Sequence, residues 1–257
     1  MSVSPQKIIQ KYLLNKQYNK SDDALLEYLK TNVKGYFPSY ATSLHDELFP
    51  PNQRLIELSL AAIKSAFKDI NLEPISQLFS KEEAEYINTW PGEHYRLLSA
   101  FIKVLQPKIV IEIGTATGAS CLCMKKYLQT SAKIVTFDII QWKQYPGTGL
   151  KETDFDNRLE QKVEDLTIKE NALLHSDLFK NVDFIFVDAI KDGYTEEIFC
   201  DFFDNIEFNN NPIVVFDDIK FINMIKIWRS IKHPKLDITS FGHWSGTGIV
   251  DWNGKNH

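Results

Sequence analysis

Five short apolar runs in the later part of the chain constrain its fold more than any other feature: "KIVIEIG", "KIVTFD", "NALLHSD", "VDFIFVD" and "NPIVVFDD". Four of the five end on an aspartate. Helix-like segments lie between most of them, and strands that are apolar on both faces need cover on both sides. The alternation predicts a mainly parallel sheet with helices on both faces, in which ligands bind beyond the carboxyl ends of the strands, where these acids lie. The tail "KLDITSFGHWSGTGIVDW" departs from the alternation, because its two strand-like runs flank Gly242 to Gly246 with no room for a crossover helix. It predicts an antiparallel hairpin closing one edge of the sheet.

Upstream, apolar residues recur at helical spacing from Ser4 to about Lys30 and from Asn52 to about Phe67, most clearly in "RLIELSLAAIKSAF". Residues 1–92 read as a helical N-terminal region with long loops, a candidate lid or homodimer contact, and "KGYFPSY" is its candidate surface. Residues 93–257 form the main domain, beginning with a helix that is entered at Pro91-Gly92 and stopped before Pro107. A chain of 257 residues, 44% hydrophobic and 25% charged, can bury one full core. Its net charge of -5 is mixed along the sequence, so neither a nucleic acid nor a membrane is an expected partner. The first twenty residues assemble no apolar signal core, and a cytoplasmic location is expected. Cys121, Cys123 and Cys200 have no paired spacing and are expected to be reduced, buried thiols.

"VIEIGTATGAS", Val110 to Ser120, reads as strand, glycine turn and helix start. Gly114 and Gly118 would let backbone approach a ligand, and the helix N-terminus with Ser120 offers donors to a carboxylate or phosphate. A ligand-free turn would also want glycine there. The spacing is not that of the dinucleotide fingerprint, which leaves a nicotinamide dehydrogenase as a weak alternative. The next run ends at Asp138, placed to accept both ribose hydroxyls, and the third at Asp177, on the adenine side. Together they suggest an adenosyl ligand with a carboxylate at its other end.

From about residue 92 onward, "IEIGTATGAS", "TFD", "HSD", "DFIFVDAIKDGY", "VVFDDI" and the terminal hairpin resemble the class I S-adenosylmethionine-dependent methyltransferases. Within these the chain is most similar to the metal-dependent O-methyltransferases of the catechol and caffeoyl-CoA type and their sugar-modifying relatives. The resemblance implies a Rossmann-like, doubly wound, seven-stranded α/β sheet. It puts Glu112, Gly114, Thr115, Gly118 and Ser120 on the methionine-binding loop, Asp138 on the ribose, Ile139 on the adenine ring and Asp177 on the adenine side. It also implies that Asp188, which borders the cofactor, and Asp217 and Asp218 ligate a divalent cation, Mg²⁺ or Mn²⁺, and that Lys191 is the base.

The residues make chemical sense of that set. Three carboxylates at neighbouring strand ends repel unless a cation lies between them, and hard oxygen ligands suit Mg²⁺ or Mn²⁺. Methyl transfer from a sulfonium needs an oxygen nucleophile held in line and deprotonated, and a dication with partial burial would depress the lysine pKa so that it accepts the proton. Asp188 and Lys191 as plain turn residues is the rival view of "DAIKDGY". Asp218 stands where catechol-type enzymes have Asn, and Ile190 where they have an aromatic residue, which shifts the expected small hydroxylated acceptor from phenol toward sugar.

His94 reads as a surface or helix-start residue and His175 as a core histidine on the third strand, while His243 and Trp244 are candidates for an acceptor pocket. Gln141 to Arg158 reads as a lid-forming insert. A metal-independent methyltransferase and a non-catalytic adenosyl-binding protein are the alternatives.

Overall fold

The computed structural model describes residues 48–253 apart from residue 222, so the helical stretch expected from Ser4 to Lys30 and the "KGYFPSY" surface lie outside the described residues. The described helices are α1 (Gln53–Lys68), α2 (Glu73–Ser76), α3 (Lys81–Asn88), α4 (Tyr95–Leu105), α5 (Ala119–Tyr127), α6 (Lys169–Leu174), α7 (Ser176–Lys180), α8 (Tyr194–Asp204) and α9 (Met224–Ser230). The strands are β1 (Ile109–Ile113), β2 (Lys133–Asp138), β3 (Leu159–Val163), β4 (Phe184–Val187), β5 (Ile213–Asp217), β6 (Lys235–Asp237) and β7 (Thr247–Asp251). No described helix is long and apolar enough to cross a membrane.

The strands form one seven-stranded sheet in the order β3-β2-β1-β4-β5-β7-β6. Pairing is parallel from β3 through β5, and β7 runs antiparallel to both β5 and β6. This is the expected mainly parallel sheet with an antiparallel C-terminal hairpin. The strand order reverses between β1 and β4, and such a reversal opens a crevice at the carboxyl edge.

Alternation along the strands sorts side chains to two cores. Val110, Ile134, Phe184, Phe186, Ile213, Val215 and Ile249 face α1, α4 and α5. Ile111, Val135, Phe137, Ile185, Val187, Val214, Phe216 and Val250 face α7, α8 and α9. The helix expected over "RLIELSLAAIKSAF" is α1; it packs along α4 and buries Leu55, Leu58, Ala62 and Ala66. Its start is tied to the sheet. The Asn52 side chain accepts from Leu55 N at 2.9 Å and donates to Asp251 Oδ2 at 3.0 Å, while Arg54 pairs with Asp251 Oδ1 at 2.7 Å.

One strand lies elsewhere than expected. "NALLHSD" is not the third strand: it is helical, spanning α6 and the start of α7, and β3 is "LEQKV". An edge strand has a neighbour on one side only and stays polar, so β3 lacks the apolar run that marks inner strands. In α6 only Ala172 is buried, and Leu174 is 76% exposed.

The turn after β1 depends on two glycines and a buried polar chain. Gly114, at φ +106°, carries no Cβ because one would lie 2.1 Å from the carbonyl oxygen of Asp188. At Gly118, φ +83°, a Cβ would lie 2.3 Å from Leu150. Beneath the turn Gln161 donates to Thr115 Oγ1 at 3.1 Å, Thr115 and Thr136 share a hydroxyl contact of 2.8 Å, and Thr136 donates to Glu112 Oε2 at 2.6 Å. Ser120 donates to the other Glu112 oxygen at 2.5 Å. Burial pushes the Glu112 carboxyl up to about 8 against the pull of both hydroxyls.

Two outcomes follow for stability. A carboxyl whose folded pKa is raised stabilises fully below its unfolded value of 4.5, and that contribution is lost as the pH rises through about 8. Urea unfolding at several pH values should therefore show Glu112→Gln flattening the decline over that window. Arg54→Met leaves the buried Asp251 carboxylate without its cation and should lower stability by about 2 kcal/mol, less than a fully buried pair because Arg54 is partly exposed.

Candidate active site at the carboxyl ends of the central strands

A cavity of ≈ 480 Å³ opens at the β1–β4 crevice, lined by Gly114, Asp138, Ile139, Asp165, Asp188 and Ile190 among others. Ile139 and Ile190 are 69% and 73% exposed and flank it with apolar surface. The Asp138 carboxylate is oriented by the turn itself, accepting from Thr115 N at 2.9 Å and Ala116 N at 3.0 Å. A second depression of ≈ 470 Å³ lies by the edge strand among Trp142, Phe155 and Gln161, away from the acidic strand ends.

Of the residues expected to meet a cofactor, Gly114, Asp138, Ile139 and Asp188 line the cavity, and Thr115, Gly118, Glu112, Ser120 and Asp177 do not. Glu112 and Ser120 are buried under the turn and hydrogen-bonded to each other. Asp177 is displaced with its segment: it lies on α7, its side chain is 97% exposed, and Asp165, just past β3, lines the cavity instead. His175 is not on a strand either; it joins α6 to α7 and contacts Glu164 Oε2 at 2.6 Å. The Gln141–Arg158 insert is closed on itself by a Trp142–Phe155 stack of 5.1 Å and held against the domain by a Lys125–Asp156 pair of 3.1 Å, and its Tyr145 reaches the cavity.

Beside the cavity the structure brings Asp188, Lys191, Asp217 and Asp218 together. Lys191 Nζ pairs closely with Asp188 and lies 3.4 Å from Asp218 Oδ2 and 3.9 Å from Asp217 Oδ2. Lys191 and Asp218 both hold left-handed backbone, φ 65° and 59°, conformations that recur where side chains must be aimed at a site. Two carboxylates about 4 Å apart repel by about 4 kcal/mol at an effective dielectric near 20, so the ammonium is what lets the acids sit so close. The expected depression of the lysine pKa presupposes a dication beside the acids. Burial does oppose the ammonium charge, but Asp188, Asp217 and Asp218 outweigh it and hold the pKa above the ordinary lysine value. Asp188 is raised by burial and by the Asp217 charge, only partly offset by Lys191.

Three further residues join the cluster. Gly92 N donates to Gly242 O at 3.1 Å, Trp244 N to Gly92 O at 3.0 Å and Trp90 Nε1 to Phe241 O at 2.9 Å, fastening the segment before α4 to the β6–β7 turn. That seam delivers Glu93 and His94 from one side and His243 from the other. The Nδ1 atoms of His94 and His243 each lie 3.2 Å from Asp217 Oδ1, and His243 Nδ1 lies 2.9 Å from Asp218 Oδ1. His94 is therefore not a surface residue: it is 4% exposed, at the helix start as expected. Burial alone would raise Asp217, but the two histidines reverse it and hold its carboxyl well below the usual range. Conversely, although burial disfavours its charge, His243 is pushed up to about 10 by Asp217, Asp218 and Glu93.

Comparison with known proteins gives the chain a family. An O-methyltransferase family model matches residues 64–205. "Probable caffeoyl-CoA O-methyltransferase 3" of Dictyostelium discoideum is 22% identical over 205 residues, covering 75% of this chain and 78% of that protein. The caffeoyl-CoA O-methyltransferase of Stellaria longipes is 32% identical over 101 residues, 38% of this chain and 42% of that protein. A solved SAH-bound methyltransferase of Podospora anserina aligns with 86% of this chain and 100% of its own at 15% identity and a TM-score of 0.49. Matched by the family model over more than half its length, the chain belongs to the O-methyltransferase family of S-adenosylmethionine-dependent enzymes.

Proposed function

We propose that the protein transfers a methyl group from S-adenosylmethionine to a hydroxyl of a small sugar-like or phenolic acceptor, with a divalent cation held at Asp188, Asp217 and Asp218. The observation that carries this reading is the convergence of those three carboxylates on one positive charge beside the cavity at the β1–β4 crevice. S-adenosylmethionine supplies an electrophilic sulfonium methyl, which needs no acid to help its leaving group. In the cavity Asp138 would accept the ribose hydroxyls, Ile139 and Ile190 would pack on the adenine, and the backbone at Gly114 would meet the methionine end. Gly114 abuts the Asp188 carbonyl, so the methyl-bearing end would point at the acids.

The donor set fits a cation. Three carboxylate groups give hard oxygen ligands, and Lys191 already marks where a positive charge resides. A bound dication would lower the acceptor hydroxyl pKa and fix the oxygen in place. Lys191 as a base requires the neutral amine, which the acids oppose until their charge is compensated. As an ammonium it orients the acceptor oxygen by hydrogen bonding. Trp244, 70% exposed and 5.6 Å from His243, offers a flat face for a sugar or phenol ring. One observation favours a second reading: the Lys191 ammonium by itself can neutralise part of the cluster, so substrate could contact Asp188 and Lys191 with no metal.

A screen of sugars and phenols with labelled S-adenosylmethionine and Mg²⁺ should find transfer to oxygen that EDTA abolishes; activity surviving EDTA selects the second reading. In the same assay Lys191→Met should lower kcat/KM by about 10²–10⁴-fold, the range of a lost general base, with S-adenosylmethionine affinity measured by calorimetry unchanged. A loss confined to cofactor affinity would remove Lys191 from the chemistry.

A further inference from the structure

Asp217 and Asp218 present their carboxylates in the same way. Their Oδ2 atoms face Lys191 Nζ at 3.9 Å and 3.4 Å, and their Oδ1 atoms face His243 Nδ1 at 3.2 Å and 2.9 Å. One imidazole nitrogen thus meets both acids through the oxygens that do not face the positive charge. Ser245 strengthens the link, donating to Asp218 Oδ1 and lying 2.9 Å from the same His243 nitrogen. Across the ring, His243 Nε2 lies 3.4 Å from Oε2 of the buried Glu93.

The ring itself is fixed by its surroundings. The turn that carries His243 and Ser245 lies directly against the chain after β5: Lys220 N donates to Ser245 O at 2.9 Å, and at Gly246, φ +122°, a Cβ would lie 2.7 Å from Lys220 N. The buried His94 ring meets His243 edge-on, with centroids 5.5 Å apart, and rests on Phe186 at 5.2 Å. Neither His94 nitrogen makes a hydrogen bond among the described residues, so it meets His243 by packing. Carboxylates that bind a metal are themselves held by hydrogen bonds, and a hard dication such as Mg²⁺ tolerates little error in where its oxygens lie.

We propose that His243, braced by Glu93 and packed by His94, is a positioning residue for the cation site: it holds the Oδ1 atoms of Asp217 and Asp218 so that both Oδ2 atoms face the ion. The inference rests on the reading of Asp188, Asp217 and Asp218 as the ligands, and it leaves the ion where that reading puts it. Asp188 stands apart from this brace, its Oδ1 paired with Lys191.

The test is Mn²⁺ titration of the metal-stripped full-length protein, followed by loss of the free-ion electron paramagnetic resonance signal, without S-adenosylmethionine or acceptor. His243→Leu should weaken binding by about 10–100-fold, the usual effect of losing a group that orients a metal ligand. His243→Asn, whose amide nitrogen can stand in the place of Nδ1, should recover most of that loss, a rescue that a purely structural role would not give. Glu93→Leu should weaken binding less than His243→Leu, and Glu93→Gln, which still accepts from Nε2, should bind nearly as the unaltered protein does. His243 and Glu93 do not line the cavity, so calorimetric affinity for S-adenosylhomocysteine verifies that each variant is folded. If His243→Leu does not fold, the Glu93 pair carries the test, and equal binding by its two members overturns the inference. Mn²⁺ binding indifferent to His243→Leu, or no better in His243→Asn than in His243→Leu, overturns the positioning role and leaves the carboxylate cation standing. A nitrogen coupling on bound Mn²⁺ that vanishes with His243 also overturns it, by making the imidazole a ligand. Absence of binding by any divalent ion overturns both readings, while labelled transfer in EDTA would still register methyltransferase activity.

Discussion

A carboxylate removed from water keeps its charge only where neighbouring groups offset the lost hydration, and the arrangement around Asp217 is built on that requirement. Asp217 ends β5 with its side chain 3% exposed, and the groups that hold it ionised come from three distant parts of the chain. His94 arrives from the segment before α4, His243 from the β6–β7 turn, and Lys191 from the loop after β4. Each is positioned by backbone rather than chance: the seam between Gly92 and the hairpin turn fixes the histidines, and a left-handed residue aims the lysine. The sheet edge, the hairpin and the helix start thus meet at one buried charge.

The same charge logic divides the molecule's polar interior into two parts with different roles. Glu112 lies two strands away, equally buried, but its partners are hydroxyls, and its pKa rises toward neutrality. It serves as the anchor of the glycine turn. Asp217 has cationic partners that favour its ionised form. Two acids at the ends of parallel strands have opposite protonation tendencies because one faces hydroxyls and the other faces imidazoles and an ammonium.

Much of this was legible beforehand. Inner strands of a parallel sheet are covered on both faces, so β1, β2, β4 and β5 announce themselves as apolar runs, and the acids at their ends follow from where such sheets bind ligands. The edge strand β3 could not be read this way, since half its residues meet solvent, and the apolar "NALL" that mimicked it is a helix. That single misplacement carried Asp177 into the expected site and left Asp165 out. The roles of Glu112 and Ser120 were also hidden, because a motif shows which residues stand near a turn but not which side of it they face.

What the sequence by itself determined is the order of the inner strands, the glycine turn, and the delivery of Asp138, Asp188, Asp217 and Asp218 to one edge, all of which rest on local periodicity and on chain order. Only the tertiary structure decided that His94 and His243, about 150 positions apart, share one carboxylate oxygen, and that Lys191 Nζ lies among Asp188, Asp217 and Asp218. The physical reason is that proximity across the sheet edge and the balance between burial and neighbouring charge are sums over groups remote in sequence, and no local pattern encodes them.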